Sequence, residues 1–91
     1  MEFVPLTPNP FNAGTNITFD LPYASRVTIT AYDMLGRRMD LLVDAAYERG
    51  RRSIRWNPTI ASGVYIVRIS AVSQEGQGEN FSASCNVVLL R

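Results

Sequence analysis

Phe81-Ser82-Ala83-Ser84-Cys85-Asn86-Val87-Val88-Leu89-Leu90-Arg91, the last residues of the sequence, alternate apolar and polar side chains. Phe81, Ala83, Cys85, Val87 and Leu89 fall on one face, and Ser82, Ser84 and Asn86 on the other. A period of two is strand geometry, because successive side chains of a strand point to opposite sides of its sheet. Chain ends normally fray. An end this apolar, closed by one Arg, is a candidate recognition element.

Working back from that strand, Gln74-Glu75-Gly76-Gln77-Gly78-Glu79 reads as a polar hairpin loop, preceded by Val64–Val72, the longest β-branched run in the chain. The run is apolar on both parities, which predicts a central strand with a covered outer face, or one that meets a partner domain. Ser62-Gly63 reads as a tight turn into it, with Gly63 expected at positive φ. Arg51–Trp56 alternates Arg52, Ile54 and Trp56 against Arg51, Ser53 and Arg55, and Asn57-Pro58 stops it.

Toward the N-terminus, Ile17, Phe19 and Leu21 point inward from one strand and Val27, Ile29 and Ala31 from the next. Asp33-Met34-Leu35-Gly36 has the Asp and Gly of a type I turn. Arg37–Val43 is a strand of unclear register, because Leu41, Leu42 and Val43 run together. Asp44–Gly50 reads as a loop in which Ala45, Ala46 and Glu48 allow one helical turn. Residues 1–14 carry paired prolines and read as an extended lead-in, with Phe11 plugging one end of the core. Short strands, turn signals every ~8–12 residues and no helical period predict an all-β protein. The expected form is an immunoglobulin-like or fibronectin-like antiparallel β-sandwich of about seven strands.

Length and composition bound the function. The 91 residues make one domain, able to bury roughly 60–65% of its unfolded surface in a single core. No apolar run reaches the ~20 residues that span a bilayer, and Met1–Pro5 lacks the features of a signal peptide. Residues 1–91 are therefore expected to be a piece of a larger protein. A net charge of +1 argues against a nucleic-acid partner. With no His and no Lys in the chain, the many Ser and Thr hydroxyls lack a base to activate them. Cys85 is the single cysteine, which excludes an internal disulfide, and it sits on the apolar parity of its strand. Asp20, Asp33, Asp40 and Asp44 lack calcium-loop spacing and read as turn and solvated carboxylates. The Arg49–Arg55 cluster, a formal candidate for phosphate or lipopolysaccharide, reads as a solvated hairpin. Trp56 and Tyr65 share parity with apolar neighbours and read as core residues. The sequence thus predicts no catalytic residue, no cofactor and no metal site.

Several short strings in a fixed order carry more. They are Pro8-Asn9-Pro10-Phe11-Asn12, Ile17-Thr18-Phe19-Asp20-Leu21-Pro22, and Tyr32-Asp33-Met34-Leu35-Gly36-Arg37, then Trp56-Asn57, Ser62-Gly63-Val64-Tyr65 and Val87-Val88-Leu89-Leu90-Arg91. In this order, over essentially residues 5–91, the chain resembles the type A C-terminal sorting domains of cargo exported by the Bacteroidota type IX secretion system. It is also similar to the immunoglobulin-like domain of flagellar hook-capping proteins. The first resemblance implies a seven-stranded, non-catalytic sandwich carried behind a secreted cargo domain. It implies recognition in the periplasm by the outer-membrane secretion machinery, passage to the cell surface, and removal by a sortase-like protease. Its recognition motifs fall on Gly63, Val64 and Tyr65 and on Asn86, Val87, Val88, Leu89, Leu90 and Arg91. Asn86 stands where the family usually has Lys. The domain is expected to act as a monomer. The competing readings are a carbohydrate- or surface-binding accessory module of a secreted glycoside hydrolase and a hook-cap-like structural domain; the first requires exposed aromatics.

Overall fold

The computed structural model describes the backbone of residues 2–7, 10, 13–74 and 80–90, and the side chains of 10, 13–74 and 80–90. Phe11, the 75–79 part of the predicted loop and Arg91 lie outside the described residues. Within them the chain is all β: β1 Glu2–Thr7, β2 Thr15–Leu21, β3 Ser25–Tyr32, β4 Arg38–Tyr47, β5 Gly50–Trp56, β6 Gly63–Ser73 and β7 Phe81–Leu89. Two antiparallel sheets form, one ordered β1-β2-β5 and the other β4-β3-β6-β7. The chain crosses between the sheets from β2 to β3, β4 to β5 and β5 to β6, which is sandwich topology rather than a simple meander.

The core forms where the inward parities of both sheets meet. Ile17, Phe19, Val27, Ile29, Ala31, Val67, Ile69, Val87 and Leu89 have no solvent exposure, and Leu21, Tyr65, Trp56 and Ala71 are nearly as buried. These are the residues that alternation places inward, so periodicity and burial agree. The Phe19 and Tyr47 rings meet edge to face at 5.7 Å and 76°, a favoured aromatic geometry.

Four local expectations are sharpened or overturned. The expected loop at Asp44–Gly50 is for the most part strand, since β4 continues to Tyr47 and turns directly into β5. The start of the lead-in is itself a strand, pairing Glu2 with Asp20 through Val4 with Thr18. The unclear register of β4 has a cause: it bulges twice against β3, with Leu42 as the extra residue between Val43 and Leu41 and Met39 between Asp40 and Arg38. Each bulge moves the following residue to the opposite face. Because of the first bulge, Asp40 and not Leu41 lies opposite the inward Ala31. Its carboxylate there accepts a 2.9 Å hydrogen bond from the Trp56 indole Nε1–H. The adjacent apolar triplet that obscured the register is the bulge itself.

The fourth change concerns Gly63, which does not have positive φ; Gly36 at φ 84° and Gly50 at φ 124° do. Gly36 closes the Asp33 turn, donating its N–H to the Asp33 carbonyl at 3.0 Å. The Asp33 carboxylate then gathers the Leu35 and Arg37 amides at 2.9 Å each and the Arg37 Nε–H at 2.7 Å. These donors hold the Asp33 carboxyl below its usual pKa, the Arg37 amide contributing most.

Candidate recognition surface

Two motifs far apart in sequence become neighbours. In the β6–β7 ladder Gly63 lies opposite Leu89, Val64 opposite Val88, Tyr65 opposite Val87 and Ile66 opposite Asn86. The resemblance names Gly63-Val64-Tyr65 and Asn86–Arg91 separately; hydrogen bonding between strands joins the first to Asn86–Leu89 of the second in one patch at one end of the four-stranded sheet.

Within that patch the residues divide by face. Tyr65, Val87 and Leu89 point inward and are buried, so they hold the strands in place and are hidden from a partner of the folded domain. Val64 is 42% exposed and Leu90 55% exposed, Asn86 is exposed, and Val88 is half-buried. The Tyr65 hydroxyl donates to the Ala61 carbonyl. This ties the start of β6 to the segment before it, as in the tyrosine corner of immunoglobulin-like folds. Gly63 sits under the same ring: a Cβ built there would lie 3.6 Å from Tyr65 carbon and oxygen atoms, an ordinary contact. The outward residues are therefore the part a receptor can touch, and the inward ones its support.

The outer face of this sheet is open, which overturns the first of the two expectations for β6, a covered outer face, and leaves the second, a strand that meets a partner domain. Val64 and Val72 are exposed, and a hollow of about 320 Å³ is lined by Tyr32, Gly36, Ile66, Arg68 and Ser84. β6 is nevertheless central, between β3 and β7, as predicted. The polar side chains lining the hollow are the Tyr32 and Ser84 hydroxyls and the Arg68 guanidinium, and a hydroxyl needs an adjacent base to act as a nucleophile. Among the described residues no three of His, Cys, Asp and Glu come together as a metal site would require.

The remaining sequence candidates are placed as follows. Trp56 and Tyr65 are 4% and 5% exposed, so neither forms a sugar-stacking platform. The Arg49–Arg55 cluster lies around the edge strand β5, with Arg51, Arg55 and Arg49 exposed; Arg51 reaches Asp20 at 4.0 Å. On β3, Arg26 pairs with Asp44 at 2.9 Å. Cys85 is half-buried with a free thiol, whose pKa burial pushes up.

No helix of the described residues is long and apolar enough to cross a membrane. The chain matches no curated protein and no solved structure significantly. Residues 6–79 match the secretion system C-terminal sorting domain family, a span that runs from β1 through β6 and stops just before β7. The landmark strings, the antiparallel sandwich and this match agree: the chain belongs to the secretion system C-terminal sorting domain family.

Proposed function

We propose that the outer-membrane secretion machinery reads this domain in its folded form, at the patch where Gly63-Val64-Tyr65 meets Asn86–Leu89, together with the Leu90 and Arg91 that follow in sequence, and that a sortase-like protease then separates it from its cargo. The family defines the role itself: a type IX secretion signal, not a catalytic domain, that takes cargo across the outer membrane to the cell surface or the medium. The observation that supports a folded signal is the β6–β7 register, which sets Val64 beside Val88 and Tyr65 beside Val87. An unfolded chain would present the two motifs independently; only the sandwich makes them a single surface. Cargo and domain enter the machinery as a monomer, with the cargo domain upstream and no nucleic acid involved.

Truncating the last strand tests this poorly, since Val87 and Leu89 are core residues with no exposure and their loss would unfold the domain. Outward substitutions separate signal from fold. In cells with type IX machinery, a reporter fused ahead of the domain should accumulate in the periplasm when Val64→Glu and Leu90→Glu are combined, while the purified chain melts as before. Normal secretion of that variant would refute recognition at this patch.

A further inference from the structure

A β-sandwich with two open sheets has four edges, and here three carry obstacles to strand addition. On β5, Arg52 lies opposite Phe19 and so shares the core side of the sheet, where an incoming strand would have to bury its charge. On β4 there are two bulges and an inward carboxylate, Asp40. β1 contains Pro5, which has no N–H, and its pairing with β2 shifts between Val4 and Thr7. Each is a known means of keeping edges from pairing with other chains. β7 differs. Phe81–Leu89 contains no charged residue and no Pro, and it follows β6 from Ala71↔Phe81 to Gly63↔Leu89 without a shift.

The two halves of β7 are not equivalent. Toward the C-terminus Asn86 and Val88 already have further partners, and Val87 and Leu89 are fully buried. In the first half, Phe81, Ala83 and Cys85 share the core parity yet are only half-buried. β7 ends its sheet, so no strand among the described residues pairs with the outer side of Phe81–Cys85. Among the described residues, an edge with no further strand partner and an incompletely covered apolar row thus coincide at one place.

We propose that the Phe81–Cys85 edge accepts a strand from the secretion machinery: a neutral, extended segment with apolar residues at alternate positions. Main-chain bonds to β7 would supply the binding, and the alternate apolar side chains would cover Phe81, Ala83 and Cys85. A neutral segment fits because the edge offers no charge to pair with one. The proposal rests on the sorting reading above, but its contact lies beyond the Val64–Leu90 patch, at the opposite end of β7.

The test uses the chain fused to a reporter cargo in cells with type IX machinery, with Ala83→Lys placed on the edge as Arg52 is on β5. An ammonium that strand addition would bury unpaired should lower secretion by about tenfold or more. The purified variant should still fold and melt cooperatively, with a midpoint at or below the parent's. A folded Ala83→Lys chain secreted at the parental rate overturns the edge contact and leaves the sorting reading standing. Failure of the parental fusion to be secreted at all would overturn that reading. If Ala83→Lys does not fold, alkylation of Cys85 in the parental chain decides. Slower labelling in cells with the machinery than in cells without it supports the contact, and equal rates overturn it. If labelling of the purified chain slows as its concentration rises, with a doubling of mass, the occupant is a second copy and the machinery is not.

Discussion

Replacing Trp56 with Ala should be the most damaging single truncation in the sandwich. The side chain is 4% exposed, near the end of β5, where β2 is its neighbour through Thr15. A large buried aromatic removes about 150–250 Å² from water, worth roughly 4–6 kcal/mol at 25 cal/mol per Å². Measured aromatic-to-Ala changes in cores cost about 3–5 kcal/mol, cavity included. A domain of this length has a total stability of order 5–14 kcal/mol, so the variant should sit near the edge of folding. The hydrogen bond to Asp40 can be isolated with Trp56→Phe, which keeps most of the apolar volume and abandons the 2.9 Å contact. Bonds to charged groups contribute about 1.5–3 kcal/mol, and because Asp40 is half-buried and can regain water the lower end applies. Urea melts followed by far-ultraviolet circular dichroism are the assay, since Trp56 is the only tryptophan and its fluorescence disappears with it. A double-mutant cycle with Asp40→Ala should return a coupling of about 1.5 kcal/mol. Two results would overturn this: a Trp56→Ala loss below about 1 kcal/mol, or additive single mutants, which would mean that the β4 bulge does not deliver Asp40 to the indole.

Two further outcomes follow from the turn and the glycines. The Asp33 carboxyl is held below its usual pKa, so its stabilising effect is complete above the ordinary carboxylate pKa of about 3.9. It is lost as pH falls through the lower folded value. The melting temperatures of the parent and Asp33→Asn should therefore differ at neutral pH and converge in acid; a gap that stays constant down to acid pH would contradict this. Gly36→Ala forces a left-handed conformation on a residue with a Cβ and should cost about 1–2 kcal/mol. Gly63→Ala, without positive φ and with open contact to Tyr65, should stay within about 0.5 kcal/mol of the parent. Thermal melts of the pair decide, and a reversed order would place the strain at the wrong glycine.

The edges of the sheets bear on how such a domain stays soluble before it meets its receptor. Charge, bulge and proline occupy the β5, β4 and β1 edges, while β7 lacks all of them. An unguarded edge is an aggregation hazard unless it has a use. The half-buried Phe81, Ala83 and Cys85 side chains mark the place where that hazard and the proposed binding surface coincide.

Alternation alone determined the class of this protein and the inward faces of its strands. Ile17, Phe19 and Leu21, Val27, Ile29 and Ala31, and Val87 with Leu89 could be assigned to the core because a strand's period is a local property. The family, too, was legible, since its landmarks are short strings in a fixed order. What needed the folded chain was everything set by pairing between distant residues. That a one-residue bulge at Leu42 turns Asp40 toward Trp56 is invisible to a periodic reading, because an inserted residue erases the period at the point where it matters. Gly63 was misread for a related reason: a Ser-Gly pair signals a turn locally, whereas pairing with Leu89 makes Gly63 the first residue of a strand. The union of Val64 with Val88, and the half of β7 that meets no further strand among the described residues, likewise exist only once the sheet order is settled. Sheet order depends on contacts made across the whole sequence, and no stretch of a few residues contains them.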